Sequence, residues 1–384
     1  MDTIALYDND AFAKEFNARV VDIKNKDNGY DVVLDRTLFF PEQGGQTSDR
    51  GELGGCIVED VQINCGIIHH FVSGDEIPFN VGDEINGRID WNHRFNNMQQ
   101  HTGEHIFTGI AHNIYGAENV GFHLSDNTVT LDLDVELTAE QVNEIEYRSN
   151  EIIAADLSVR CYYPDADSLR NIQYRSKKEI NGAVRLVEIE NTDICACCAP
   201  HVNTTGQVGI LKVISFGKYK SGTRVFILCG LRALADYNRR MSLLEQSYQL
   251  LNCKEDQVPE KIRILMEDNR QQKYDMNRLK SDILLNQIEG YPSELMDVTI
   301  FMDGLDSKNM RDGVNTLIEK HQGLCAIFSG NDEEGYSFVI GSATRDCNAI
   351  VAGMRQLLGA KGGGSRQMVQ GSVSASRNEI ERVL

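Results

Sequence analysis

Four residues could bind a metal ion because of their types and spacing. In QQHTGEHIF, His101 and His105 are four residues apart, which places both imidazoles on one face of a predicted helix. In CCAPH, Cys197 and His201 have the same spacing, and Pro200 predicts a turn that lets the two side chains converge. Three nitrogens and one sulfur suit zinc, whose tetrahedral sites take Cys and His.

This ligand set allows more than one role for zinc. Four protein ligands close a tetrahedral shell, as in a structural site, whereas a catalytic zinc keeps one position open. The pattern therefore allows a structural zinc, a catalytic zinc with one replaceable ligand, or a zinc that only positions substrate.

The elements around these residues predict an α+β fold. Residues 1–90 contain short apolar runs broken by Gly, Asn and Asp, which predict a small β-barrel. Residues 91–228 are predicted to form the metal-binding α/β domain. Its predicted elements are a helix from about Arg94 to His112 with one buried face, a helix from Thr138 to Ile153 with Gln141 completing a capping box, and a hairpin ending near Leu228.

The second half predicts helices and then a separate small domain. In residues 229–290, apolar residues from Leu234 to Leu251 follow a heptad spacing, and a related pattern resumes after Pro259. These predict a helical hairpin or a coiled coil, and a homodimer through this region or the C-terminal region fits the same pattern. Residues 291–384 alternate strand and helix patterns, which predicts a small α/β domain with an exposed glycine-rich loop from Lys361 to Ser372.

Composition restricts the function classes. The chain of 384 residues has 38 basic and 57 acidic side chains, so RNA binding would need local basic patches. We expect no membrane span, no export signal and therefore a cytoplasmic protein. The ten cysteines are then expected as free thiols or metal ligands. Neither a Walker A nor a dinucleotide loop occurs in the sequence, so we expect an ATP-independent activity.

The motifs, in order, resemble the editing half of alanyl-tRNA synthetase and its freestanding relatives, the AlaX proteins. RTLFFPEQGGQTSDRG, residues 36–51, resembles the glycine-rich motif of the N-terminal barrel. HTGEH and CCAPHVNTTGQVG resemble the HxxxH and CxxxH pairs, and GAKGGGSRQMVQGS resembles the end of the synthetase's C-terminal domain. The resemblance covers nearly the whole chain and indicates a long-form AlaX protein.

The resemblance implies roles for particular residues. Zinc would be held by His101, His105, Cys197 and His201. Asp193, four residues before Cys197, selects that cysteine over Cys195 or Cys198. The family's usual Gly-Gly-Thr between Cys and His is here Cys-Ala-Pro, which leaves Cys198 as an alternative ligand.

The resemblance also implies catalytic candidates beside the metal. These are Thr37, whose hydroxyl would help to recognise a serine side chain, and the loop of Gly44, Gly45 and Gln46. Glycines let a backbone approach the ester and ribose closely, although a tight β-turn is the alternative interpretation of Gly-Gly.

The activity implied is trans-editing, in which a zinc-dependent hydrolase deacylates mischarged tRNA for alanine and so protects the fidelity of protein synthesis. Ser-tRNA is the expected substrate and Gly-tRNA the second. The alternatives are a non-catalytic zinc-containing tRNA-binding module and the editing of a different tRNA. Lys361 and Arg366 are the predicted nucleic-acid-binding residues, because residues 341–384 carry six basic and three acidic side chains.

Overall fold

The structure is a computed structural model that describes residues 2–126, 128–176 and 182–384. It has the predicted α+β class, with several sheets and helices. Two compact units divide the chain, Met1–Leu243 and Leu244–Leu384. In the described residues, no helix combines the length and the apolar character that crossing a membrane requires. The finer division into four domains remains our proposal.

The first unit begins with six antiparallel strands that close into a barrel, in the hydrogen-bonded order β2, β3, β7, β6, β5 and β8. Alternating burial along β8 places Ile85 and Ile89 inside. The short strands β1 and β4 pair in parallel beside it. The strands are β1 (Ile4–Ala5), β2 (Glu15–Lys26), β3 (Gly29–Leu34), β4 (Arg36–Thr37), β5 (Gly51–Leu53), β6 (Cys56–Asn64), β7 (Ile67–Ser73) and β8 (Glu84–Ile89).

The helix that carries the histidine pair, α1 (Trp91–Tyr115), follows the barrel directly. Asp90 caps its first turn by accepting from the His93 N–H, and Gly116 ends it in the left-handed region, with φ of 64°. The expected single buried face was wrong, because every residue of 97–111 is buried by elements that pack around α1. A buried ion pair between Arg94 and Asp49 also joins α1 to the barrel motif.

Two further sheets surround α1. A four-stranded sheet has the order β14, β15, β10 and β9, and a three-stranded sheet has the order β11, β12 and β13. The predicted capping box of Thr138 and Gln141 and the hairpin of β14 and β15 are confirmed. The elements are β9 (Asn119–Leu124), β10 (Val129–Leu133), α2 (Ala139–Ala154), β11 (Val159–Tyr162), α3 (Ala166–Leu169), β12 (Leu186–Ile189), β13 (Asp193–Ala196), β14 (Leu211–Tyr219) and β15 (Gly222–Cys229).

Two long helices follow, α4 (Gly230–Leu250) and α5 (Val258–Glu289), and the boundary between the units falls within α4. Pro259 lies in the first turn of α5, where its missing N–H costs no helical hydrogen bond. Apolar residues of the heptad pattern, among them Leu234 and Leu265, are exposed in the single chain.

The second unit contains a five-stranded sheet in the order β16, β17, β18, β20 and β19. The predicted exposed loop from Lys361 to Ser372 was wrong, because Lys361–Gly364 pairs with Met368–Val373 as a β-hairpin. Glycine permits this pairing, since a Cβ at Gly371 would lie 2.1 Å from the Lys361 carbonyl oxygen. The elements are β16 (Val298–Phe301), α6 (Ser307–Lys320), β17 (Cys325–Asn331), β18 (Gly335–Gly341), α7 (Cys347–Leu358), β19 (Lys361–Gly364), β20 (Met368–Val373) and α8 (Arg377–Val383).

Candidate metal centre

The structure brings the two predicted ligand pairs together. His101 and His105 lie one turn apart on α1, and Cys197 and His201 lie in the loop that follows β13. One potential ligand atom of each residue lies within 4.8 Å of the others. The three imidazoles are buried. Cys198 is not part of this group.

The distances around the Cys197 sulfur fit a tetrahedral zinc site. The sulfur lies 3.5 Å from Nε2 of His101 and 3.5 Å from Nε2 of His201. Zinc bonds of about 2.3 Å to sulfur and about 2.0–2.1 Å to nitrogen, meeting at a tetrahedral angle, separate the two atoms by about 3.6 Å. The donor set and its spacing therefore both suit zinc.

Two of the imidazoles are oriented through their other nitrogen. His101 Nδ1 donates to Oε1 of the buried Gln46, at 2.8 Å. His201 Nδ1 lies 3.0 Å from the Thr102 hydroxyl oxygen. When Nδ1 is the donor in both contacts, both Nε2 atoms are available as acceptors facing Cys197, which is how outer partners fix metal-binding histidines. Gln46, a predicted catalytic residue, thus lies behind the ligand set. No motif in the sequence indicated the role of Thr102.

The third imidazole is backed by carboxylates. Asp193 Oδ2 lies 3.5 Å from His105 Nδ1, and Glu104 Oε2 lies 3.6 Å from its Nε2. Arg175 donates to both oxygens of Asp193, each at 2.8 Å. Although burial opposes it, these contacts hold the pKa of Asp193 below its usual range. An ionised Asp193 can orient His105, and Arg175 was not found from the sequence because it precedes Asp193 by 18 residues.

The electrostatics separate the two neighbouring cysteines. Burial acts to raise the pKa of Cys197, but His101 and the other imidazoles lower it well below its usual value. Burial and the adjacent Cys197 raise the pKa of Cys198 to about 12. Burial lowers the pKa of His201 to about 3, so its imidazole is neutral. Thiolate and neutral imidazole are the forms that bind a metal, which favours Cys197 over Cys198.

A cavity of about 580 Å³ opens beside the ligands. Gly44 and Gly45 line it, in a tight turn closed by two backbone hydrogen bonds between Gln43 and Gln46. Gly45 has φ of 85°, and a Cβ there would lie 2.5 Å from the Phe122 carbonyl oxygen. The loop is therefore both a tight turn and a wall of the cavity. The wall also includes His101, His105, Val120, Gly121, Phe122, Tyr163, Arg185, Cys195, Cys197 and Cys198.

Thr37 is not part of this wall. Its fully buried hydroxyl lies 2.8 Å from His70 Nε2 and accepts from the Phe39 N–H at 3.1 Å. The structure thus places Thr37 in a hydrogen-bonded cluster of its own and does not bring it to the cavity.

The predicted nucleic-acid-binding residues belong to the second unit. Lys361 begins the edge strand β19, and Arg366 lies in the turn between β19 and β20. Both are exposed.

Comparison with known proteins gives two matching family models and full-length relatives. The models are tRNA synthetases class II (A), over residues 3–93, and the threonyl and alanyl tRNA synthetase second additional domain, over residues 184–225. Alanyl-tRNA editing protein AlaX-L of Pyrococcus horikoshii is 28% identical, and the match covers 98% of this chain and 96% of that protein. This chain is a relative of the alanyl-tRNA editing proteins. Alanyl-tRNA editing protein Aarsd1 of Rattus norvegicus is also 28% identical, with 98% and 96% covered.

Alanine–tRNA ligases also match this relative of the editing proteins, but only over part of the ligases' own length. The alanine–tRNA ligase of Pyrococcus abyssi is 27% identical over 100% of this chain, which corresponds to 43% of the ligase. The matched models contain the glycine turn and the pair Cys197 and His201, respectively, while His101 and His105 lie between the matched segments. The expected resemblance is confirmed.

Sequence reasoning missed Arg185, which forms part of the cavity wall. The residue interrupts an apolar run in GAVRLVEI, and its side chain is only 4% exposed. A charged residue in an apolar strand pattern needs a partner when buried. That pattern was the available signal.

Proposed function

We propose that this chain is a zinc-dependent aminoacyl-tRNA hydrolase that removes a wrongly attached amino acid from tRNA for alanine. The observation that carries the proposal is the four-residue ligand cluster, three of whose members, His101, His105 and Cys197, line a cavity formed partly by the Gly44 and Gly45 turn. Serine is the first proposed substrate and glycine the second, as the family resemblance implies. Two full-length relatives that are alanyl-tRNA editing proteins support the same activity.

The main task of the protein in this reaction is to position the aminoacyl ester. An aminoacyl ester next to a ribose hydroxyl is already labile, so holding its carbonyl and excluding alternative poses supplies much of the acceleration. His101, His105, Cys197 and His201 would hold the zinc. When bound, zinc supplies Lewis-acid polarisation or a template for the substrate. The glycine turn lets the ester approach without a side chain in its way.

Two other functions remain as alternatives. A zinc-containing module that binds tRNA without hydrolysis would keep the same ligands, and a hydrolase for a different tRNA would keep the same cavity. The second alternative has a specific support, since the model matching residues 184–225 is named for both threonyl and alanyl synthetases.

Deacylation assays test the function directly. Purified protein is incubated with Ser-, Gly- and Ala-charged tRNA for alanine and with Ser-charged tRNA for threonine, with and without a chelator. We expect the fastest loss of serine from tRNA for alanine, and its suppression by the chelator. Absence of hydrolysis with retained tRNA binding would favour the binding module. Preference for the threonine tRNA would favour the other alternative.

Metal analysis tests the ligands independently of activity. We expect one zinc per chain in the wild type and loss of stoichiometric zinc in a His101→Ala, His105→Ala variant. The matched control, His69→Ala with His112→Ala, removes two imidazoles that lie outside the cluster and should keep the zinc. Stoichiometric zinc in the first variant would contradict the ligand assignment.

The proposed partner is mischarged tRNA, and the proposed compartment is the cytoplasm, where translation uses that tRNA. A homodimer is also proposed through α5, whose residues Ile262, Leu265 and Met276 are exposed in the single chain. Sedimentation equilibrium measures this directly, and a single-chain mass at micromolar concentration would contradict it.

A further inference from the structure

Arg185 lies immediately before β12 and forms part of the cavity wall. Its side chain is 4% exposed, which is unusual for an arginine, because a buried charge is costly unless it is paired. The guanidinium is therefore held by specific contacts, and their arrangement indicates what it does.

Three contacts to oxygen atoms hold this guanidinium, and the Cys161 side chain also interacts with it. Nη1 donates to the carbonyl oxygens of Cys197, at 3.0 Å, and Ala199, at 2.8 Å. Nε lies 3.4 Å from Oδ1 of Asp8, whose other oxygen accepts from the Tyr163 hydroxyl at 3.0 Å. The group is thus fixed in position and orientation directly behind the ligand Cys197.

The remaining nitrogen, Nη2, makes no hydrogen bond to the described residues. Within residues 2–126, 128–176 and 182–384, Nη2 of Arg185 has no hydrogen-bond partner, and it is not enclosed as an unsatisfied buried atom. A planar guanidinium presents its donors in a fixed fork, so two N–H groups of Nη2 have a defined direction. Because the side chain lines the cavity, they are available to an oxygen atom of a bound molecule.

We propose that Arg185 is a catalytic residue of the deacylation, donating from Nη2 to the carbonyl oxygen of the aminoacyl ester. This inference rests on the hydrolase function proposed above. Water oxygen bonds to the carbonyl carbon and the carbonyl electron pair moves to its oxygen. The pair then returns, the bond to the ribose oxygen breaks, and the ribose oxygen takes a proton from the water. Arg185 donates hydrogen bonds to the former carbonyl oxygen while that oxygen carries the negative charge. No covalent bond of Arg185 forms or breaks.

This geometry favours the ester carbonyl over a phosphate as the oxygen bound. The guanidinium contacts the backbone of Cys197, so its free donors lie beside the metal ligands, where the scissile bond must lie. A donor fixed before the reaction stabilises developing charge without a cost of reorganisation. Asp8 is then a positioning residue, because it contacts Nε of Arg185 and not the carbonyl oxygen of the substrate ester.

Kinetics and binding on the full-length protein distinguish this role from a structural one. In R185Q we expect kcat for Ser-tRNA to fall by about 10²- to 10³-fold, the usual effect of removing one such donor. Affinity for a tRNA that carries serine through a 3′-amide should change less than about threefold, because this analogue resembles the ground state. R185K keeps the charge without the fork and should recover part of kcat.

The matched control is R160Q, which removes an exposed arginine from β11 of the same sheet and should keep wild-type kcat. D8N leaves Arg185 and its carbonyl contacts in place and should lower kcat less than R185Q. Zinc content is measured in each protein. If R185Q binds less zinc than wild type, the role of Arg185 is judged from the kcat of R185K and D8N, compared with wild type at equal zinc content.

Two results would overturn the proposal. One is a kcat for R185Q within threefold of wild type. The other is an equal loss of kcat and of affinity for the amide analogue, which would identify a ground-state anion contact instead. Failure of the wild type to deacylate any of the charged tRNAs would reject the proposed function and is a separate result.

Discussion

His70 lies inside the barrel and is held as a neutral imidazole. Its Nδ1 donates to the Val32 carbonyl oxygen at 3.0 Å, and its Nε2 accepts from the Thr37 hydroxyl at 2.8 Å. Burial disfavours the imidazolium and lowers the pKa of His70 to about 4. Its partner His69 points the other way and contacts Asp31, as expected for neighbours on a strand.

The lowered pKa of folded His70 makes the free energy of unfolding depend on pH. The unfolded histidine takes up a proton below about pH 6.5, whereas the folded one does so only near pH 4, so stability falls between these values. The loss between pH 7 and pH 4.5 is about 2 kcal/mol from His70. Urea unfolding at both values should show that much less loss in His70→Asn than in wild type. Equal losses in the two proteins would contradict a neutral buried His70.

Thr37 gives a second prediction at this scale. In Thr37→Val the Phe39 N–H and His70 Nε2 lose their partner, which should lower the free energy of unfolding by about 1–3 kcal/mol. The ratio of Ser- to Ala-tRNA deacylation rates should stay at its wild-type value, because the hydroxyl does not line the cavity. A reduced ratio at unchanged stability would instead support the substrate contact that the family resemblance implies.

At the scale of elements, the glycine turn and β9 fit together closely. Gly45 and Gly55 form a matched pair, with φ of 85° and 86°, but a Cβ at Gly55 meets no atom within 4 Å. Alanine strains the backbone at either position by about 1 kcal/mol. Only Gly45→Ala also collides with the Phe122 carbonyl oxygen, so it should displace the turn and reduce deacylation by at least tenfold. Gly55→Ala should keep wild-type kcat.

Deacylation and melting temperature are measured together for the two glycine variants. A similar drop in melting temperature with unequal activity would support a role for the turn in the cavity. Equal activity in both variants would contradict it.

The sequence predicts the local parts of this site well. The spacing of His101 and His105 is a property of one helix, and the capping box at Thr138 needs only four consecutive residues. The partners that orient the ligands could not be predicted in this way. Gln46 precedes His101 by 55 residues, and the two side chains meet only in the folded structure, where the barrel packs against α1. Arg185 likewise depends on Asp8, from the far end of the same unit.

The hairpin at Lys361–Ser372 shows a different limit of sequence reasoning. Its glycines predict a loop by their intrinsic preferences, but in the sheet they allow close backbone approach to a neighbouring strand. Burial of α1 on all sides was also missed, because its polar residues reduce the apparent hydrophobicity while their partners come from other elements.

At the scale of the whole molecule, an acidic chain must bind an acidic partner. The chain has a net charge of −19, so tRNA affinity has to come from a local basic surface. In residues 341–384, three arginines already have partners: Arg345 pairs with Asp297, Arg355 with the Gly362 carbonyl oxygen and Arg377 with Glu381. Lys361 and Arg366 are exposed, and neither side chain has a partner in the described part of the chain.

We therefore expect Lys361 and Arg366 to contact tRNA phosphates. In a Lys361→Ala, Arg366→Ala variant, tRNA affinity at low salt should fall on the order of tenfold, and the slope of log affinity against log salt should become shallower by about 2. Because neither residue belongs to the metal centre, kcat at saturating Ser-tRNA should stay at its wild-type value.

The matched control, Arg263→Ala with Arg270→Ala, removes the same charge from α5, where Glu260 and Glu267 already pair with both arginines. An equal effect of the two double variants would indicate that net charge alone sets the affinity, and an unchanged salt slope in the first would remove Lys361 and Arg366 from the tRNA interface.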